Sequence, residues 1–191
     1  VGLAFALNWQ TGLTVAGYVA LTTVYSTVLK HVAVLDLVGV ALGFLLRAIA
    51  GGTANDIMLS RWFLLATAFG SLFIVTGKRY AEMREFGDGA AATRQILDEY
   101  TLGFLQIVLG VAVAATLMTY CLWAFEVREV SGKDWPFYEI SIVPMLAALL
   151  RYVLVLERGH GGAPEDVFLQ DRVLQALGLV WLVAIALGVY V

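Results

Sequence analysis

Apolar residues in this chain come in long runs separated by short polar connections. Crossing a hydrocarbon core of about 30 Å takes roughly 17 to 25 apolar residues, and such runs occupy 11–29, 35–52, 61–77, 101–125, 140–157 and 172–190. Each run predicts a helix, because backbone polar groups in lipid must be satisfied within their own segment. Residues 1–8, Val1-Gly2-Leu3-Ala4-Phe5-Ala6-Leu7-Asn8, are too short to span alone and read as the end of a further span. The expected fold is all-α, a polytopic transmembrane helix bundle. Residues 1–191 form one transmembrane domain, with connections too short for a separate soluble one.

Composition agrees: 61% of the 191 residues are hydrophobic, 14% are charged and the mean hydropathy is +0.85, far from the roughly 45–50% apolar and about 25% charged of soluble domains. A single cysteine, Cys121, excludes a disulfide framework and reads as a small buried hydrophobe. The net charge of −3 and the lack of a basic stripe argue against a nucleic-acid partner. The connections alternate in character. One side carries Lys30, Lys78, Arg79, Arg84, Arg94, Arg158 and Arg172, seven cations, whereas the other holds only Arg61, Arg128 and Lys133. Seven against three places the first side in the cytoplasm. Arg47 and Arg151 lie within spans. Glycines such as Gly39, Gly43, Gly70 and Gly110 fall in the runs and suit close helix packing.

The densest polar stretch is the island Lys78-Arg79-Tyr80-Ala81-Glu82-Met83-Arg84-Glu85, continuing through an Asp88-Gly89 turn and Arg94 to Asp98, Glu99 and Tyr100. Lys78, Glu82 and Glu85 are spaced i, i+4, i+7, so a continued helix presents a cation and two carboxylates on one stripe. Such a stripe is either a solvated face of weak ion pairs or a site in which cations meet phosphate and carboxylates meet Mg²⁺. In the first cytoplasmic connection, Tyr25 and Lys30, each taken alone, read as interface anchors rather than as site residues. Asp36 and Arg47 are eleven residues apart, about three turns, and so share a helix face. Ionisable groups in a span are costly and tend to face a cavity, so that face is expected to line a polar chamber. The third connection has flexible glycines around His160, then Pro164-Glu165-Asp166, which reads as a helix start with acid in its first turn. Phosphate-loop, HExxH, GxSxG and CxxC signatures are absent, which removes support for nucleotide-triphosphatase, zinc-hydrolase and serine-triad chemistry.

Six patches, in order along the chain, resemble the actinobacterial phosphoribosyltransferase branch of the UbiA-type membrane prenyltransferase superfamily. They are Tyr25 to Lys30 with Asp36, Gly43 to Gly52, Gly77 to Glu82, Trp123 to Glu126, Arg151-Tyr152, and Pro164 to Asp166 with Asp171 to Leu174. The resemblance implies a nine-helix bundle of which helices three (in part) to nine are visible, with a cytoplasm-facing cavity open to lipid. It implies a multi-pass inner (plasma) membrane enzyme that moves a 5-phosphoribosyl group from phosphoribosyl pyrophosphate to decaprenyl phosphate with Mg²⁺, for cell-wall arabinan. The superfamily's second acidic motif falls on the island, where Lys78-Arg79-Tyr80-Ala81-Glu82 replaces the usual DxxxD. The implied roles are phosphate binding by Tyr25, Lys30, Arg47, Lys78, Arg79 and Arg151, with Asp36 orienting a cation. Glu82 is implied as a catalytic residue alongside Asp36, and as a metal ligand. The first motif, NDxxDxxxD, is not in the chain and is expected upstream together with the main metal ligands, so that these residues alone are not expected to turn over. Another UbiA-type enzyme using a prenyl diphosphate donor, or a non-enzymatic transport or structural subunit, are the other readings; homo-oligomerisation is left open.

Overall fold

The computed structural model describes residues 1–86, 95–132, 134–159 and 164–191, without the side chains of 86, 95 and 164–166. The expected Asp88-Gly89 turn, Arg94, Lys133 and His160 lie outside the described residues, as do the side chains of Glu165 and Asp166. The described residues form helices α1 (Gly2–Leu7), α2 (Trp9–Thr27), α3 (Leu35–Ala54), α4 (Arg61–Phe86), α5 (Leu102–Ser131), α6 (Phe137–Ile140), α7 (Ile142–Glu157), α8 (Pro164–Gln170) and α9 (Arg172–Tyr190), with 3₁₀ turns at Leu29–His31 and Gln95–Glu99. No strand occurs among them. The chain is an all-α polytopic membrane bundle.

Among the described residues, five segments are long and apolar enough to cross a membrane: Trp9–His31, Leu35–Ala54, Leu102–Ser131, Phe137–Glu157 and Arg172–Tyr190. The sixth expected span, 61–77, is helical but not among these five. It is the first part of the 26-residue α4, which starts at Arg61 and runs without a break into the charged island. Helix α4 packs on α3 and most extensively on α5, α7 packs on α9, and α2 lies outside α3. In the apolar window of α2 only 6% of residues are buried, against 33% in α5 and α7, so α2 borders the bundle and α4, α5 and α7 are its centre.

Side-chain contacts sort the connections to two ends. At one, Asn8 donates to the Thr53 carbonyl at 2.8 Å, Ser60 bonds Glu126, and Arg128 pairs with Glu139. At the other, the start of α3, the end of α4, the approach to α5 and the end of α7 converge. The alternation of the connections is therefore the alternation of the bundle's ends. Close approach at this second end depends on Gly77, where a Cβ would lie 3.0 Å from Leu156 Cδ1 and 3.2 Å from Tyr152 Cε1.

Candidate functional site

Asp36 lies in the first turn of α3, where a carboxylate is favoured by the helix dipole. It is fully buried, and Arg79, 3% exposed, donates Nε to its Oδ2 at 3.1 Å. Arg79 also donates Nη1 to Glu82 Oε2 at 3.0 Å, one turn along α4. Burial by itself would lower the guanidinium pKa, but Glu82 and Asp36 outweigh it and hold that pKa above its ordinary value. The Tyr100 hydroxyl donates to Asp36 Oδ1 and accepts the Val34 amide at 2.7 Å. Burial, then the bond to Asp36, push the Tyr100 pKa up, so the phenol stays protonated as the donor.

Val34 sits at φ 69° and ψ −45°, close to the classic γ-turn, which is rare and strained. For a β-branched residue this is a true outlier, with a cost of about 1–3 kcal/mol. Strained backbone, a buried aspartate and a buried arginine thus meet within one cluster. Beside it, Tyr80 Oη donates to Glu157 Oε1 at 2.8 Å, Gln106 Nε2 donates to the same oxygen at 3.1 Å, and Arg84 bonds the Glu157 backbone carbonyl. These contacts tie α4, α5 and α7 together at the same end.

The structure sorts the expected site residues differently from their spacing. Asp36, Arg79 and Glu82 come together. Lys78, one residue from Arg79, points outward and is exposed, while Lys30 is half-buried on the 3₁₀ turn; neither has a hydrogen-bond or ion-pair partner among the described residues. The stripe that builds the cluster is therefore Arg79 and Glu82 rather than Lys78, Glu82 and Glu85. Arg79 does not stand open for phosphate, since two carboxylates already hold it. Arg47 does not share a chamber with Asp36: it is exposed, donates to Tyr18 Oη at 2.5 Å and lies 5.0 Å over the Tyr18 and Phe44 rings. Three turns of helix separate it from Asp36, and α2 supplies its partner. Tyr25 lies against Gly39, where a Cβ would be 3.0 Å from its ring. Arg151 is held by Asp171, with Nη2 and Nε at 2.8 and 3.1 Å from Oδ2.

Among the described residues, no three His, Cys, Asp or Glu side chains converge on a metal-sized position. Asp36 and Glu82 both engage Arg79, so the residues present do not fit a Mg²⁺ site. A cavity of about 550 Å³ opens among α3, α4, α5, α7, α8 and α9. Its lining includes Phe63, Ile74, Trp123, Leu149, Phe168 and Trp181, an apolar wall suited to a hydrocarbon chain.

Sequence reasoning named Tyr100 only as the end of the island and assigned no site role to it or to Val34, Gln106 and Glu157. A tyrosine just ahead of a span reads as an interface anchor, and nothing in a valine announces a positive φ.

No family model matches the chain. It is 43% identical over 193 residues to a decaprenyl-phosphate phosphoribosyltransferase of Corynebacterium glutamicum, a match that takes in 100% of this chain and 58% of that protein. The chain is a relative of the decaprenyl-phosphate phosphoribosyltransferases. Those of Mycolicibacterium smegmatis and Mycobacterium tuberculosis are 40% and 42% identical over 98% and 97% of this chain, and each is covered over 61% of its length. The chain thus spans about three fifths of the decaprenyl-phosphate phosphoribosyltransferases it matches.

Proposed function

We propose that the protein to which this chain belongs transfers a 5-phosphoribosyl group from phosphoribosyl pyrophosphate to decaprenyl phosphate and releases pyrophosphate. The observation that carries this reading is the 40–43% identity, over nearly the whole chain, to proteins of that name. In this reading a lipid phosphate oxygen attacks the anomeric carbon of the donor as the bond to pyrophosphate breaks. Charge develops on both sugar and leaving group, so preorganised electrostatics is the main catalytic contribution. The ammonium groups of Lys30 and Lys78, which have no partner among the described residues, meet donor phosphates. The Asp36–Arg79–Glu82 cluster sets the wall beside them, and the apolar cavity holds part of the polyprenyl chain. The two carboxylates that Arg79 holds would not serve as ligands for a Mg²⁺ bound with the pyrophosphate. The polar end faces the cytoplasm of the inner membrane, by the seven-to-three excess of cations, and the product serves cell-wall arabinan synthesis.

The test is a transfer assay with the full-length protein in nanodiscs, radiolabelled phosphoribosyl pyrophosphate and decaprenyl phosphate. Label should enter the lipid phase only with both substrates and Mg²⁺, and Lys78→Ala should lower the rate at least about tenfold, the value of one charge-assisted contact. Transfer from a prenyl diphosphate donor instead, or no lipid-linked product, would overturn the reading.

A further inference from the structure

A second cavity, about 290 Å³, lies on a neighbouring face of α7. Its lining is Arg151, Val155 and Arg158 from α7, Val167 and Gln170 from α8, and Asp171. The three α7 residues are spaced i, i+4, i+7 and so stack on one face. Their charges do not balance. Asp171 is neutralised by Arg151 and by the amides of Val173 and Leu174, which it accepts at 3.0 and 2.9 Å as the cap of α9. The Arg158 guanidinium has no partner among the described residues and leaves the lining with a net positive charge.

The site is also placed at an unusual depth. Arg151 is six residues before the end of α7, about 9 Å along the axis. Helix α8 folds back to that depth, because α9 begins at the Asp171 that Arg151 holds. Helix α8 is fixed there by Gln175, whose Nε2 donates to the Phe168 and Leu169 carbonyls at 3.2 and 2.8 Å. The same two helices also line the apolar cavity, through Leu149, Tyr152 and Phe168. A cationic cavity and an apolar cavity therefore stand side by side, sharing α7 and α8 as their common wall.

We propose that the Arg151–Arg158–Gln170 cavity binds the phosphate headgroup of a membrane lipid whose chain occupies the adjoining apolar cavity. The planar fork of Arg158, which no carboxylate among the described residues holds, matches phosphate oxygens, Arg151 keeps the Asp171 charge neutralised beside it, and Gln170 adds a neutral donor to the same lining. Val155 and Val167, both buried, supply the apolar part of the lining. The chemistry is shared by a polyprenyl monophosphate and by a diester phospholipid; the first of these rests on the transferase reading, which gives the same apolar cavity to the polyprenyl chain.

The test measures binding, so its failure is separable from failure of the transferase reading. Full-length protein in detergent is examined by native mass spectrometry with three probes in turn: farnesyl monophosphate, phosphatidylglycerol and inorganic phosphate. Wild type should retain a lipid phosphate, and Arg158→Gln should weaken retention about tenfold. Arg172→Gln, an exposed neighbour that does not line the cavity, should retain it as wild type does. Preference for farnesyl monophosphate assigns the cavity to a monoester lipid, and preference for phosphatidylglycerol assigns it to a bulk phospholipid; each supports a lipid headgroup site. Equal retention by wild type and Arg158→Gln, or binding of inorganic phosphate alone, would overturn the proposal. Arg158 is exposed, so an unchanged thermal midpoint should accompany the loss.

Discussion

Replacing Asp36 with Asn tests whether the cluster at the polar end is a true buried ion pair. The amide keeps the shape of the side chain but removes its charge, leaving Arg79, 3% exposed, with Glu82 as its remaining carboxylate at 3.0 Å. Breaking a buried pair from one side costs about 3–5 kcal/mol, because the other charge is stranded. Glu82 is 16% exposed and still bonded to Arg79, so the low end, about 3 kcal/mol, is expected. Tyr100 changes this little, since an amide oxygen accepts its hydroxyl as a carboxylate does. In a chain of this size each kcal/mol moves the midpoint by about 2–4 °C, which gives a fall of roughly 6–12 °C. Thermal unfolding in nanodiscs, followed by circular dichroism, would measure it. The double variant Asp36→Leu/Arg79→Met removes both charges and should recover most of the loss. An Asp36→Asn midpoint within about 3 °C of wild type would refute the reasoning, for Arg79 would then be hydrated rather than stranded.

Tyr100→Phe removes the donor to Asp36 and the acceptor of the Val34 amide, and should cost about 1–3 kcal/mol in the same unfolding assay. Gly77→Ala places a methyl against Leu156 and Tyr152 and should destabilise by about 1–3 kcal/mol through overpacking, with Gly110→Ala, whose Cβ meets nothing within 4 Å, as the benign comparison. The Arg151 hydrogen bond, and then the amide of Leu174, hold the Asp171 carboxyl below its ordinary value. A depressed folded pKa gives stability that is complete above the unfolded value of about 3.9 and disappears as pH falls through the folded one. The stability advantage of wild type over Asp171→Asn should therefore be level from neutrality to about pH 5 and shrink below about pH 4.

Much of the bundle was legible because lipid imposes a single backbone solution on each long apolar run. The run 172–190 matches α9 residue for residue, and the two-sided grouping of connections follows from their charges. Helix α4 shows the limit: its apolar part ends at the island, but the helix does not, since nothing between Gly77 and Phe86 stops it. The site was legible in its elements and less so in its pairing. Spacing along one helix put Asp36 with Arg47 and Lys78 with Glu82, whereas the ion pair that forms, Asp36 to Arg79, joins residues 43 apart in sequence. Helical periodicity reports faces and not which face meets which. Tyr100 and the α7–α8 cavity arise from contacts between elements and had no local signature.

The positive φ of Val34 gives this end of the bundle a latch under tension. The backbone would relax if released, and the Tyr100 hydroxyl, which takes the Val34 amide and reaches Asp36 two residues later, keeps it from doing so. Geometry here is maintained by two opposed forces and not by close packing alone. A glycine at position 34 would ease one of them, so a more stable protein with a less accurately placed Asp36 is the foreseeable outcome, with stability and function drawn in opposite directions at a single residue.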